Sequence, residues 1–260
     1  MAPNEHAETQ VAVEATREAI PALLAASDEK VLRTLLDNPA FDETHVCLLL
    51  ERKDLSGLLL EEISKRKIWR AAYRVRLALA AHPHTPRLIA MRLLRELHLG
   101  DLVRISLLTT CSMDLRRLAD ERILAQLAQL PLGQKIMLAR RGSTRIAAGL
   151  VQHGPEQVAR VALNNSFLTE AQLLKTLSKQ TLPARIVAAV ASHDKWSRLI
   201  HVRVALLRHP EISSAQVPAL LPGLPRRDIE DLLGLTLLHE NIRSQLQAEL
   251  SSRKNDAAQP

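Results

Sequence analysis

Val75-Arg76-Leu77-Ala78-Leu79-Ala80-Ala81-His82-Pro83 returns 127 positions later as Val202-Arg203-Val204-Ala205-Leu206-Leu207-Arg208-His209-Pro210. The register extends outward without a gap. From Leu36 the chain repeats from Leu163, and Trp69 and Trp196 fall on the same offset. So do Val31 with Val158, Asn38 with Asn165, and Leu115-Arg116 with Ile242-Arg243. A duplication without strand signals or Gly-rich loops points to stacked short helices, an all-α solenoid. The two copies are expected over about 10–136 and 137–254, within one helical-repeat domain spanning 9–252, because no linker-like stretch separates them. A leader over 1–8 and a polar tail over 253–260 are expected to be disordered.

Composition agrees with close-packed helices. Apolar residues make up 47% of the 260 positions but aromatics only 2%, so the core must be Leu, Ala, Val and Ile. Most of the 13 prolines, among them Pro39, Pro83, Pro86, Pro155, Pro183, Pro210 and Pro225, sit where one helical run gives way to the next. Helical patterning starts near Thr9 and runs into the early 20s, then continues near 28–37, 43–52, 55–66, 69–81, 86–97, 100–109 and 114–129. The second copy places helices near 133–141, 144–152, 155–164, 169–179, 182–192, 196–208, 213–221, 226–236 and 239–252. Asp28, Asp42 and Thr169 are expected to cap helix N-termini, and Asp101 and Asp228 are expected just before helical segments.

The Val75-Arg76 and Val202-Arg203 pairs resemble the Val-Arg that opens the second helix of a bacterial HEAT-like unit. His82-Pro83-His84-Thr85-Pro86, followed by Leu88 and Leu93-Leu94, is similar to the pattern of leucine-rich repeat variants. Leu138-Ala139-Arg140-Arg141-Gly142 through Val158, Asn165 and Leu173-Leu174 resembles a bacterial repeat domain of unknown function. The iron–sulfur segment found beside some leucine-rich repeat variants has no counterpart, since its Cys cluster is absent. The resemblance implies a right-handed, armadillo-like α-solenoid used as a binding surface.

Charge is the sharpest functional hint. The formal net charge is +7, and residues 65–145 hold 17 Lys and Arg against 5 Asp and Glu, whereas residues 1–30 hold 2 against 6. Equivalent positions stack along a solenoid, so Lys65, Arg66, Lys67, Arg70, Arg74, Arg87, Arg92, Arg95, Arg116, Arg117, Arg140 and Arg141 are candidate partner-binding residues. They can equally form a solvated surface. Trp69 and Trp196 read as wedges between helix layers, with a stacking platform as the alternative. Lys65, Arg66, Lys67, Arg70 and Arg74 surround Trp69, whereas His193, Asp194, Lys195, Ser197 and Arg198 surround Trp196. The Trp is kept while the denser charge is not, which assigns the Trp to the repeat and the excess charge to a specific task. Arg76 and Arg203 read as rungs between units, through a carboxylate or carbonyl, with a ligand contact as the alternative. His82 and His209, before proline, read as helix-end caps.

No motif for a nucleophile, a phosphate loop, a dinucleotide or a zinc-protease helix occurs, so no catalytic, cofactor-binding or metal residue is assigned. The adjacent acids Asp120-Glu121 and Glu61-Glu62 read as solvated surface, since neighbours on a helix do not face one another. Cys47 and Cys111 lack companions for a disulfide framework or zinc site, which fits a reducing compartment. The polar start of the chain lacks an apolar signal core, and Asp101 and Arg104 interrupt the most apolar stretch, so a cytoplasmic protein without a membrane span is expected. The function expected is a non-enzymatic scaffold that holds a protein partner, an acidic segment, on a curved face. Binding to a nucleic-acid backbone, with DNA-glycosylase-like base chemistry, is the alternative. It is held down because single-strand binders interleave cations with aromatics and this chain has five aromatics.

Overall fold

The computed structural model describes residues 10–26, 28–235 and 238–256; the expected leader over 1–8 lies outside them. All regular structure among the described residues is helical. The chain divides into two compact units, 1–125 and 126–260.

The first unit begins with α1 over 10–14. There follow α2 (Ile20–Ala26), α3 (Glu29–Leu35), α4 (Glu43–Leu49), α5 (Gly57–Lys65), α6 (Lys67–Ala71), α7 (Tyr73–Ala81), α8 (Arg87–Leu94), α9 (Leu99–Leu107) and α10 (Met113–Gln126). Helix α2 packs on α3 and α4, α4 on α7, α5 and α6 on each other and on α7, and α7 on α8.

The second unit holds α11 (Leu132–Arg141), α12 (Thr144–His153), α13 (Glu156–Leu163), α14 (Glu170–Leu177), α15 (Ala184–Ala191), α16 (Ile200–Leu207), α17 (Val217–Leu220), α18 (Arg226–Leu233) and α19 (Glu240–Asp256). Its helices lie in two rows. One row runs α11, α13, α15, and the other runs α12, α14, α16, α18. Small residues let α12 and α13 approach closely: Ala147, Ala159 and Ala162 are fully buried beside Ile146, Leu150 and Val158. Each fully buried Leu or Ile contributes on the order of 1.5–3 kcal/mol. Helices this short are marginal alone, so the packing holds them.

Element bounds recur at the 127-residue offset. Helices α3, α4, α5, α7 and α9 begin at Glu29, Glu43, Gly57, Tyr73 and Leu99, and α13, α14, α15, α16 and α18 begin at Glu156, Glu170, Ala184, Ile200 and Arg226. Packing recurs too, α2 on α4 and α4 on α7 in one unit, α12 on α14 and α14 on α16 in the other.

Several expected elements differ. The run 69–81 is two helices, broken at Ala72 (φ −74°, ψ 117°), and 196–208 breaks at the equivalent Leu199 (φ −82°, ψ 124°) after a 3-10 turn, Trp196–Arg198. On one straight helix Trp69 and Val75 would point about 120° apart. The break lets both bury, at 5% and 0% exposure. The first expected helix stops at 14 and resumes at Ile20. Helix α10 ends at Gln126 and passes into a 3-10 turn, Leu127–Gln129. Of the tail expected over 253–260, the first four residues are helical, and the rest lies outside the described residues. There Arg253 donates to the carbonyls of Leu221 and Leu224, which ties the last turns down.

Asp28, Asp42 and Thr169 cap α3, α4 and α14, and Asp42 forms a reciprocal box with His45, whose Nδ1 accepts the Asp42 amide. Asp101 and Asp228 are not caps. They lie inside the first turns of α9 and α18, where an acid still favours the helix dipole. Asp120, expected on the surface, is only 4% exposed.

Candidate binding surface

Four pairs of repeated positions hold each unit together from within. Asn38 Nδ2 donates to the carbonyls of Ala12, Val13 and Ala15, and its Oδ1 accepts the Ala40 amide at 2.7 Å. Asn165 does the same with Ala139, Gly142 and the Phe167 amide. His82 Nε2 meets the Arg52 carbonyl at 2.6 Å while Nδ1 accepts the His84 amide. His209 repeats this with Lys179 and Glu211. A carbonyl on one nitrogen and an amide N–H on the other select the neutral tautomer protonated at Nε2. Burial pushes the His82 pKa below the usual histidine value.

Trp69 and Trp196 are 5% and 1% exposed, so neither ring offers an open face for stacking a ligand. Trp196 Nε1 donates to the Leu163 carbonyl at 2.8 Å, whereas Trp69 packs edge-on against Phe41 and its Nε1 has no partner among the described residues. Arg76 and Arg203 differ in their bonds. Arg76 reaches Glu96 at 2.8 Å and lies over the Tyr73 ring, while Arg203 donates to the carbonyls of Ser197 and Pro222.

Arginine is used repeatedly to satisfy carbonyls at helix ends, groups that lack a partner inside their own helix. Arg52 donates to Leu24, Arg66 to Leu36, and Arg243 to Leu233 and Leu235. Part of the cationic surplus therefore serves the fold.

The twelve candidate cations separate on the same ground. Lys65 pairs with Glu61, Arg66 with Asp37 and Glu62, Arg87 with Asp114 at 3.5 Å, and Arg117 with Glu121. Arg116 is half-buried, and its Nε has no partner among the described residues. Arg140 and Arg141 end α11 in the second unit. Arg74 opens α7 beside Cys47, whose thiol pKa is pushed up by burial and eased down by that guanidinium. Lys67, Arg70, Arg92 and Arg95 are exposed and make no ion pair with any described residue. Lys67 and Arg70 lie on α6, Arg92 and Arg95 at the end of α8. The Tyr73 ring stacks on His98 at 4.4 Å, and the Tyr73 hydroxyl donates to Asp101 and accepts the His98 amide. The segments carrying Arg70 and Arg95 thus run into one junction.

Exposed apolar side chains were not singled out by sequence reasoning. Leu58, Ile68, Leu88 and Met113 are 68–78% exposed in the first unit. The signal was present in the sequence repeat, because the residues at the 127-residue offset are Arg185, Lys195, Ala215 and Glu240.

The second unit carries an open groove of about 600 Å³ between α14, α16 and α18, floored by Leu174, Leu177, Val204 and Ala205 and rimmed by His201, Arg208 and Asp228. His201 is held by Glu170 at 3.1 Å. Among the described residues no group of three or more His, Cys, Asp and Glu could hold a metal ion, and no helix is long and apolar enough to cross a membrane. Both cysteines are free thiols. No protein-family model, curated protein or solved structure matches the chain.

Proposed function

We propose that the chain is a non-enzymatic binding protein whose two units are copies of one right-handed α-solenoid module, of the HEAT-like or leucine-rich-repeat-variant kind, and that its first unit holds an acidic segment of a protein partner. Recurring helix starts and the matched Asn and His bonds support the duplication. The two rows of the second unit, α11 on α13 on α15 and α12 on α14 on α16 on α18, support the solenoid. The observation that carries the binding reading is the group Lys67, Arg70, Arg92 and Arg95, four exposed cations without internal acid partners on α6 and α8. Lys65, Arg66, Arg76, Arg87 and Arg117 nearby are held by acids, whereas these four make no ion pair with a described residue and keep their field for an external anion. Two free thiols support a reducing compartment, the cytoplasm.

The test is a fluorescence anisotropy titration of a Glu/Asp-rich peptide and of a duplex DNA, each repeated between about 50 and 200 mM salt. Tighter binding of the peptide supports the proposal. Tighter binding of DNA with a steep negative log–log salt slope replaces it with a nucleic-acid reading.

A further inference from the structure

The exposed apolar residues of the first unit are arranged in order. Leu58, Leu88 and Met113 stand in the first turns of α5, α8 and α10. Those three helix ends are neighbours. A Cβ placed on Gly57 would lie 3.8 Å from Pro86 Cγ and 3.3 Å from the His84 carbonyl, and His84 Nδ1 meets the Leu55 carbonyl at 3.0 Å. On the other side Arg87 reaches Asp114 at 3.5 Å. Each of the three apolar side chains is within three positions of one of these contacts, and they are 68%, 77% and 78% exposed. Single exposed Leu or Met residues are ordinary, but an aligned set calls for a reason.

The second unit supplies an internal control. At the 127-residue offset α15 and α19 begin where α5 and α10 do, and a 3-10 turn, Ser214–Gln216, begins where α8 does, with Arg185, Ala215 and Glu240 at these positions. The fold therefore does not require the apolar row.

Beside the row, Glu61 and Glu62 one turn beyond Leu58 are paired with Lys65 and Arg66, and Asp114 next to Met113 with Arg87, which leaves arginines as the charge not matched within the row. Arg92 lies one turn beyond Leu88 on the same face and has no ion pair with a described residue. Arg117 lies one turn beyond Met113 and is held only by an exposed pair to Glu121. Exposed pairs of this kind are weak and exchange partners easily. If these three neighbouring helix starts stand about 8–10 Å apart, as side-by-side helices do, the row spans about 16–20 Å, or three to four helical turns of a partner.

We infer that Leu58, Leu88 and Met113, with Arg92 and Arg117 beside them, form the docking row for an amphipathic acidic helix of three to four turns in a partner protein. The apolar face of that helix covers the row, and its Asp and Glu residues meet the two arginines. Apolar contact gives affinity and the flanking charge gives register. This rests on the proposed binding of an acidic segment and adds the surface and the form of the ligand.

The test is selection from a displayed library of random peptides against the wild-type chain. Selected peptides are then titrated against the variant Leu58→Arg/Leu88→Ala/Met113→Glu, which carries the second unit's residues. All three sites are exposed, and matched circular dichroism and melting curves verify the fold. The expected result is enrichment of Asp and Glu together with large apolar residues at helical spacing, and about tenfold or greater weakening on the variant. Acidic peptides that bind wild type and variant equally overturn the docking row but leave the acidic-segment reading standing. Peptides without acidic enrichment overturn both. A wild type that sediments as a dimer while the variant sediments as a monomer shows that the row pairs two copies of this chain, and also overturns the inference.

Discussion

The Arg66 guanidinium donates to the Leu36 carbonyl at 2.6 Å and so occupies the acceptor that the second unit leaves to a tryptophan. At the offset positions Leu163 accepts from Trp196 Nε1, and His193 stands where Arg66 does. Burial keeps His193 below the usual histidine pKa, so near neutral pH it brings no cation to the site. Arg66, fixed further by Asp37 and Glu62, takes the carbonyl, and the Trp69 N–H is left without a partner among the described residues. Arg66, Asp37 and Glu62 in the first unit stand at offset positions occupied by His193, Asn164 and Ala189 in the second, so the first unit binds this carbonyl through a charged group.

The two tryptophans should differ when replaced by Phe. Trp196→Phe removes a buried hydrogen bond and strands the Leu163 carbonyl, whereas Trp69→Phe removes an N–H that bonds nothing described. Trp196→Phe is expected to cost about 1–2 kcal/mol more than Trp69→Phe in urea denaturation. Equal losses would contradict the assignment of these bonds.

Asn38 and Asn165 are expected to be the most sensitive polar positions of their units. At 6% and 2% exposure, each joins carbonyls of an earlier helix to the loop that follows it. Asn165→Ala should destabilise by about 1–3 kcal/mol by leaving the Ala139 and Gly142 carbonyls unpaired. Asn165→Asp should cost more, since a carboxylate would face those same carbonyls. Thermal melts of the two variants against wild type read the order directly.

His82 gives the fold a pH dependence with a defined sign. Burial lowers its folded pKa, so the unfolded chain binds more protons as pH falls through about 6.5. Stability is therefore complete above that value and declines below it. Protonation at Nδ1 would also set an N–H against the His84 amide. The Tm should be lower at pH 5.5 than at pH 7.5, and the gap should narrow in His82→Gln. An unchanged gap would remove His82 as its source.

The two thiols should separate by access. Cys111 is buried and donates to the Ala81 carbonyl at 3.3 Å, while Cys47 is half-buried, and burial raises both thiol pKa values. A thiol reagent at neutral pH is expected to label Cys47 slowly in the native protein and Cys111 only on unfolding. Equal rates would show that the first unit opens around α7 and α10.

Much of the fold was legible because a short helix declares its ends. Asp28, Asp42 and Thr169 marked true starts, and prolines at 83, 155 and 210 marked true boundaries. The break at Ala72 was hidden. Neither Gly nor Pro marks it, and it arises because Trp69 and Val75 must both face inward. The offset pointed to Trp, Arg and His but undervalued Asn38 and Asn165, whose bonds span 23–26 residues and cannot be read from spacing. In the candidate surface, counting cations could not reveal that Lys65, Arg66, Arg87 and Arg117 are already paired. At the 127-residue offset the apolar differences, and not only the charged ones, mark Leu58, Leu88 and Met113.

The most direct measurement compares the affinity of an acidic peptide for the wild-type chain and for Lys67→Glu/Arg70→Glu/Arg92→Glu/Arg95→Glu, with Arg140→Glu/Arg141→Glu as the second arm. All six side chains are exposed, so melting temperatures should stay close to wild type. A loss of about tenfold or more in the first variant, with little change in the second, is the expected result. Equal affinity of wild type and the fourfold variant would show that these cations serve only solubility, and that the first unit is not the binding surface.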